Sequence, residues 1–115
     1  MILYINTTQG SNIEISIEDG DKIIANKKFS AKYKQAEKLL PEIDKLLQKS
    51  KNKLDDIKKI EVVNNGDENT SFTALRIGVV TANALGYALG IPVNKNKIKN
   101  FNIIKPIYNK EPNIT

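Results

Sequence analysis

The 115-residue chain contains no cysteine and no histidine. Disulfides are excluded, and so are the thiolate and imidazole ligands of most zinc and transition-metal sites, leaving only carboxylates and carbonyls. Without histidine, a hydroxyl such as that of Ser71 also has no imidazole to activate it as a nucleophile. No apolar run reaches the roughly 20 residues that span a bilayer. The opening MILYINTT has neither the basic start nor the long apolar middle of a signal peptide. These absences lead us to expect a cytoplasmic chain with no membrane contact, no metal, no cofactor and no catalytic set. Arginine is almost missing as well: of 18 basic side chains only Arg76 is not lysine. A position that keeps guanidinium against such a bias suits a planar, bidentate contact.

What is present is a basic chain of net charge +5, long enough for one domain with one modest core. The lysines are scattered over KYKQAEK, KSKNK, IKK and NKNKIKN, among many Ile and Asn residues. That pattern reads as a solvated surface in an AT-rich coding bias, with a phosphate-binding patch as the alternative. The carboxylate pairs Asp55-Asp56 and Asp67-Glu68 fit turns or helix starts better than acid-base work, because neither lies in a stretch apolar enough to shift a pKa.

Along the chain, Ile2 to Asn6 suits a buried strand, and Ile13, Ile15 and Ile17 alternate with polar residues as a half-buried strand does. Asp19-Gly20 predicts a type I′ hairpin turn into a third strand, DKIIANKKF. From Ser30, a plausible N-cap, the period becomes helical. Tyr33, Ala36, Leu40, Ile43 and Leu47 share one face that Leu39 and Leu46 widen, and Pro41 predicts a kink or a broken first segment. Ile57 to Val63 reads as a fourth strand and IPV as the start of a fifth. The sum is an α/β sandwich of order βββαβαβ with a five-stranded mixed sheet.

Between those last strands lies TSFTALRIGVVTANALGYALG, capped by Thr70 or Ser71 and by Gly90. Apolar residues surround this helix, and Thr73, Arg76, Asn83 and Tyr87 form only a thin polar stripe. Such a helix is buried on more than one side. Ala74, Gly78, Ala82 and Gly86 recur every fourth residue, a spacing that permits close approach by another helix. The occupant is either the domain's own first helix or a helix of a second chain.

Three stretches in order, ILYINTT, EKLLPEIDKLL and SFTALRIGVVTANALGYALGIPV, resemble the TsaB (YeaZ) family, a bacterial subunit of the machinery that makes threonylcarbamoyladenosine in tRNA. SFTALRIG is the most specific, close to the family's SFTGLRIG. The resemblance implies a single lobe of the actin-like ATPase (ribonuclease H-like) fold over residues 1–93. Residues 94–115 then form a linker and a tail in which KPIYNKEPNIT looks like the family's C-terminal end, while the second lobe is missing. Where the family has a first-strand Asp this chain has Asn6, and the family's GPG before SFT is replaced by Glu68, Asn69 and Thr70. Both changes, with the missing lobe, argue against ATP hydrolysis.

The resemblance implies a non-catalytic scaffold that supports a TsaD-like threonylcarbamoyltransferase through the first and second helices. A TsaE-like ATPase and tRNA would be reached through that complex, with a homodimer when the chain is alone. The interface expected on this basis takes Leu39, Leu40, Ile43 and Leu47 from the first helix. From the second it takes Ala74, Arg76, Ile77, Gly78, Thr81, Ala82 and Leu85. The alternative is a tRNA- or nucleotide-binding remnant of the actin-like superfamily.

Overall fold

The computed structural model describes residues 1–32, 34–66 and 70–94, and the backbone of 96–97. Tyr33, the Asp67-Glu68 pair, the replacement residues Glu68 and Asn69, and the tail after residue 97 lie outside the described residues. The elements are β1 (Ile2–Gln9), β2 (Asn12–Asp19), β3 (Lys22–Ser30), α1 (Gln35–Lys49), β4 (Lys59–Val62), α2 (Phe72–Leu89), β5 (Pro92–Val93) and β6 (Asn96–Lys97). The five expected strands form a mixed sheet, which the two-residue β6 extends in the order β3-β2-β1-β4-β5-β6. β1 lies inside the sheet, antiparallel to β2 and parallel to β4.

Two-residue links join β1 to β2 and β2 to β3, and Gly10 and Gly20 take positive φ there. The second turn is not the expected type I′. Its linking residues are Gly20 and Asp21, and only Gly20 is left-handed, so Asp19 stays in the ladder opposite Lys22.

Strand alternation gives the sheet two unlike faces. Leu3, Ile5, Ile13, Ile15, Ile17, Ile60, Val62 and Val93 are buried on one, and both helices cover that face. Tyr4, Asn6, Glu14, Ser16 and Glu61 line the other, which no described helix covers. On that polar face, partial burial pushes the Tyr4 hydroxyl pKa up, and the carboxylates of Glu14, Glu18 and Glu61 act in the same direction.

α1 buries Leu39, Ile43, Leu46 and Leu47. Each such side chain contributes about 1.5–3 kcal/mol. The helix starts four residues later than a Ser30 cap would place it: Ser30 closes β3, and Ala31 N–H donates to Ser11 O at 2.8 Å, so the chain is still tied to the hairpin there. Pro41 does not break α1, which runs continuously from Gln35. The carbonyl of Glu37 loses its usual partner, but Glu37 and Pro41 are both exposed and water reaches them. Glu42 ties α1 to the sheet through Lys27 of β3 and to Lys45 one turn on, at 3.5 Å. The Lys27 contact chiefly holds the Glu42 carboxyl below its usual range.

α2 is capped as expected. Ser71 Oγ accepts from Ala74 N–H at 3.2 Å, and left-handed Gly90 lets Ile91 N–H reach Gly86 O at 3.0 Å. By length and composition alone α2 would pass for a membrane span, but here Leu75, Val79 and Ala82 form part of the core. At the end of β5, Asn94 takes φ +56. Its amide bridges Val62 by accepting from the N–H at 2.8 Å and donating to the carbonyl at 3.2 Å.

Candidate functional site

The small-residue stripe faces inward. Ala74, Gly78, Ala82 and Gly86 are all buried, and a methyl group built on Gly78 would stand 2.5 Å from Thr7 Oγ1. Thr7 in turn donates its hydroxyl to Ala74 O at 2.7 Å. The close approach that these residues permit is therefore between α2 and β1 of the same domain, not between two helices of different chains. Ala74, Gly78 and Ala82 leave the expected interface for this reason.

The same correction applies on α1. Leu39, Ile43 and Leu47 are buried under the sheet, whereas Leu40 is 51% exposed and Ala36, one turn earlier, is exposed too. Leu39 and Leu46, the expected margin of the apolar face, are thus at its centre, because the helix turns that side toward β2 and β3.

What remains outward on α2 is a different stripe. Thr73, Arg76, Val80, Ala84, Tyr87 and Ala88 are exposed, and Ile77, Thr81 and Leu85 are half-buried along its flanks. The spacing of three and four residues places the exposed set along one side of the helix. Of the expected interface, Leu40 and Arg76 are accessible, and Ile77, Thr81 and Leu85 partly so. Thr73, Arg76 and Tyr87 of the expected polar stripe are exposed, Tyr87 at 68%, and Asn83 is half-buried. Val80, 56% exposed, was missed because it is apolar, and neither Val80 nor Tyr87 was placed in the expected interface. Their spacing from Arg76 along the helix was the available clue.

At the start of α2 the stripe runs into a groove of about 450 Å³ whose walls include Ala36 and Glu37 of α1, Thr73 and Ile77 of α2, and Gly10 of the first turn. The groove joins the outer surfaces of the two helices. Its chemistry is mixed, with lysine, carboxylate, amide and hydroxyl groups beside Ala36 and Ile77.

Asn6 lies past the middle of β1 on the polar face. Its Oδ1 accepts the Thr8 N–H at 2.9 Å and the Thr8 hydroxyl at 2.6 Å. Thr8 O in turn accepts from the Thr70 hydroxyl at 3.0 Å, which ties the loop before α2 to β1. The amide oxygen thus braces the stretch of β1 between Asn6 and Gln9 where its register with β2 shifts. Asp56, of the first carboxylate pair, closes a turn as expected, its carboxylate accepting the Lys53 N–H at 2.8 Å.

Residues 22–95 match the family model described as TsaD: tRNA N6-adenosine threonylcarbamoyltransferase. No curated protein matches the chain. Among solved structures it is similar to YeaZ from Pseudomonas aeruginosa, with a TM-score of 0.70 and 22% identity over 80% of this chain and 41% of that one. A second, titled as an uncharacterized protein with similarity to peptidase YEAZ from Pseudomonas aeruginosa, has a TM-score of 0.71 and 22% identity, over 80% of this chain and 40% of its own. The chain thus spans about two fifths of the length of the structures it resembles. With that match over more than half its length, the chain belongs to the TsaD: tRNA N6-adenosine threonylcarbamoyltransferase family, and it has the fold of the YeaZ structures.

Proposed function

We propose that the chain is a non-catalytic partner in the formation of threonylcarbamoyladenosine in tRNA. It docks on a TsaD-like catalytic subunit through the outer stripe of α2 and the adjoining surface of α1, and meets a TsaE-like ATPase and tRNA only through that complex. The observation that carries this reading is the exposure of Val80 and Tyr87 on a helix whose opposite side already covers the sheet. Burying such side chains contributes about 1.5–3 kcal/mol each. Tyrosine and arginine are also among the residues enriched at the centres of protein interfaces. Arg76 lies on the same stripe and offers a fork for a partner carboxylate. Family membership supports the tRNA-modification setting, and the amide at Asn6, already committed to Thr8, supports a role without hydrolysis.

The test is co-expression with the TsaD-like subunit of the same organism, followed by size-exclusion chromatography. Wild type should co-elute with it, while Tyr87→Glu and Val80→Glu should elute separately with unchanged melting temperatures. A wild type that never co-elutes, or variants that bind as well as it does, would overturn the docking face. Binding of the isolated chain to tRNA, with affinity falling steeply as salt rises, would favour a tRNA-binding module instead.

A further inference from the structure

Asn65 is the only asparagine in the chain that a glycine follows. It lies in the link between β4 and α2, outside the regular ladder and the helix, where the backbone makes a single isolated bridge. The residue is exposed, and its side-chain amide bonds to no other described residue. The other described asparagines are held differently. Asn6, Asn26, Asn52 and Asn94 commit their amides to hydrogen bonds, and Asn64 and Asn83 have partners of their own. Asn12 is exposed, but the branched Ile13 follows it in β2.

Gly66 is buried, unlike its neighbour. A methyl group built on it would stand 2.9 Å from Cβ and Cγ2 of Thr70. Thr70 is itself only 6% exposed, and its hydroxyl donates to Thr8 O at 3.0 Å. The main chain at Gly66 therefore presses on the residue that ties the start of α2 to β1.

We propose that Asn65-Gly66 is a site of spontaneous deamidation, and that the isoaspartyl product loosens the seat of α2. The Gly66 nitrogen gives its proton to solvent and bonds to Asn65 Cγ. The carboxamide C–N bond breaks, and its nitrogen takes up a proton and leaves as ammonia. A glycine suits this attack, because no Cβ shields its nitrogen and its backbone reaches conformations closed to other residues. Asparagine is among the thermolabile side chains for such reasons. Water then opens the cyclic imide by breaking one of the two bonds from its carbonyl carbons to the Gly66 nitrogen. Opening at Cγ leaves an aspartyl residue. Opening at the former main-chain carbonyl leaves an isoaspartyl residue, whose backbone runs through Cβ and Cγ and is one carbon longer. That carbon enters directly before Gly66, where the contact with Thr70 leaves no room for it.

The test is to age the purified full chain in warm, mildly alkaline buffer and to follow the peptide that carries position 65 by mass spectrometry. Synthetic peptides with asparagine, aspartate or isoaspartate at that position are the standards. The parent peptide should disappear faster than the one that carries Asn12, with both acids appearing in its place. Asn65→Gln, whose ring closure would need one more atom, should stay intact over the same period. The isoaspartyl fraction, separated by ion exchange, should exchange its amide hydrogens faster at the start of α2 than the unaged chain does, with β2 unchanged, because local opening there has become easier. Loss at Asn65 no faster than at Asn12 would overturn the proposal. So would aspartate without isoaspartate, which would mean direct hydrolysis of the side chain with no attack by Gly66. Unchanged exchange at the start of α2 in the isoaspartyl fraction would overturn the link to the seat of that helix.

Discussion

Gly78→Ala should destabilise the domain, although alanine is the better helix former. The added methyl would stand 2.5 Å from Thr7 Oγ1 and 3.0 Å from Thr7 Cγ2, and Thr7 is only 1% exposed, so it has little room to withdraw. Relief requires either that α2 lift from β1 or that Thr7 rotate and give up its bond to Ala74 O. Overpacking of this kind costs about 1–3 kcal/mol, and a lost buried hydrogen bond adds about 1 kcal/mol. The gain in helix propensity returns up to about 1 kcal/mol. The balance is a loss of about 1–3 kcal/mol, or at least about 4 °C in melting temperature for a domain near this size. Urea and thermal unfolding followed by circular dichroism at pH 7 measure it. Thr7→Ala alone should cost about 1 kcal/mol. Combined with Gly78→Ala it should recover part of the loss, because the two nearest obstructing atoms are gone, giving a coupling of about 1 kcal/mol in a double-mutant cycle. If Gly78→Ala melts at or above the wild-type temperature, or if the two changes simply add, the contact between α2 and β1 does not limit the packing and the reasoning fails.

Glu42→Gln should lower stability at neutral pH by removing the tie to Lys27. Because the folded-state pKa of Glu42 lies below its ordinary value of 4.5, the contribution is full above that value and disappears as pH falls through the lower folded value. The gap in melting temperature between wild type and Glu42→Gln should therefore close on acidification from pH 7 to about pH 3, and a gap that persists would contradict the assignment. Asn94→Gly should retain the left-handed backbone but lose the bridge to Val62, costing about 1 kcal/mol. Asn94→Ala should lose both, costing about 2 kcal/mol in the same urea titration. Equal losses would mean that the backbone angle contributes nothing.

The strands were legible because their signals are local: the isoleucine alternation in β2 and the glycine-bearing turns on either side of it need no tertiary information. Ser71 and Gly90 were legible for the same reason, since a cap is satisfied within one turn of its helix. What the small-residue side of α2 packs against was not, although its polar stripe of Thr73, Arg76 and Tyr87 was. Ala74, Gly78 and Ala82 serve a helix-sheet contact as well as they would a helix-helix one, and the residue that decides between them, Thr7, is 67 positions from Ala74 in the chain. Leu40 was misplaced because either of two overlapping apolar rows on α1 can face a core, and only the salt bridge of Glu42 with Lys27 and the packing on β2 select the row of Leu39, Ile43 and Leu46. Nothing in the sequence around Pro41 indicates that the helix continues through it. That depends on Glu37 facing water in the folded domain.

The position of β1 between β2 and β4 has a consequence during synthesis. Its antiparallel neighbour follows it almost at once, but Ile2 and Ile5 pair with Lys59 and Val62 on the other side. Until those residues leave the ribosome, one long side of β1 has no strand to bond with, and the meander carries an open inner edge beside an apolar face. Parallel pairings of such large sequence separation are slow to form and expose nascent chains to aggregation. α1 is translated in that interval and lies on β2 and β3, so it can cover the adjoining part of the face before β4 arrives. Pulse proteolysis of stalled nascent chains ending shortly before and shortly after β4 has emerged should therefore show a sharp gain in resistance as β4 emerges. β4, made after the meander and α1, would thus be the strand that closes the far side of β1.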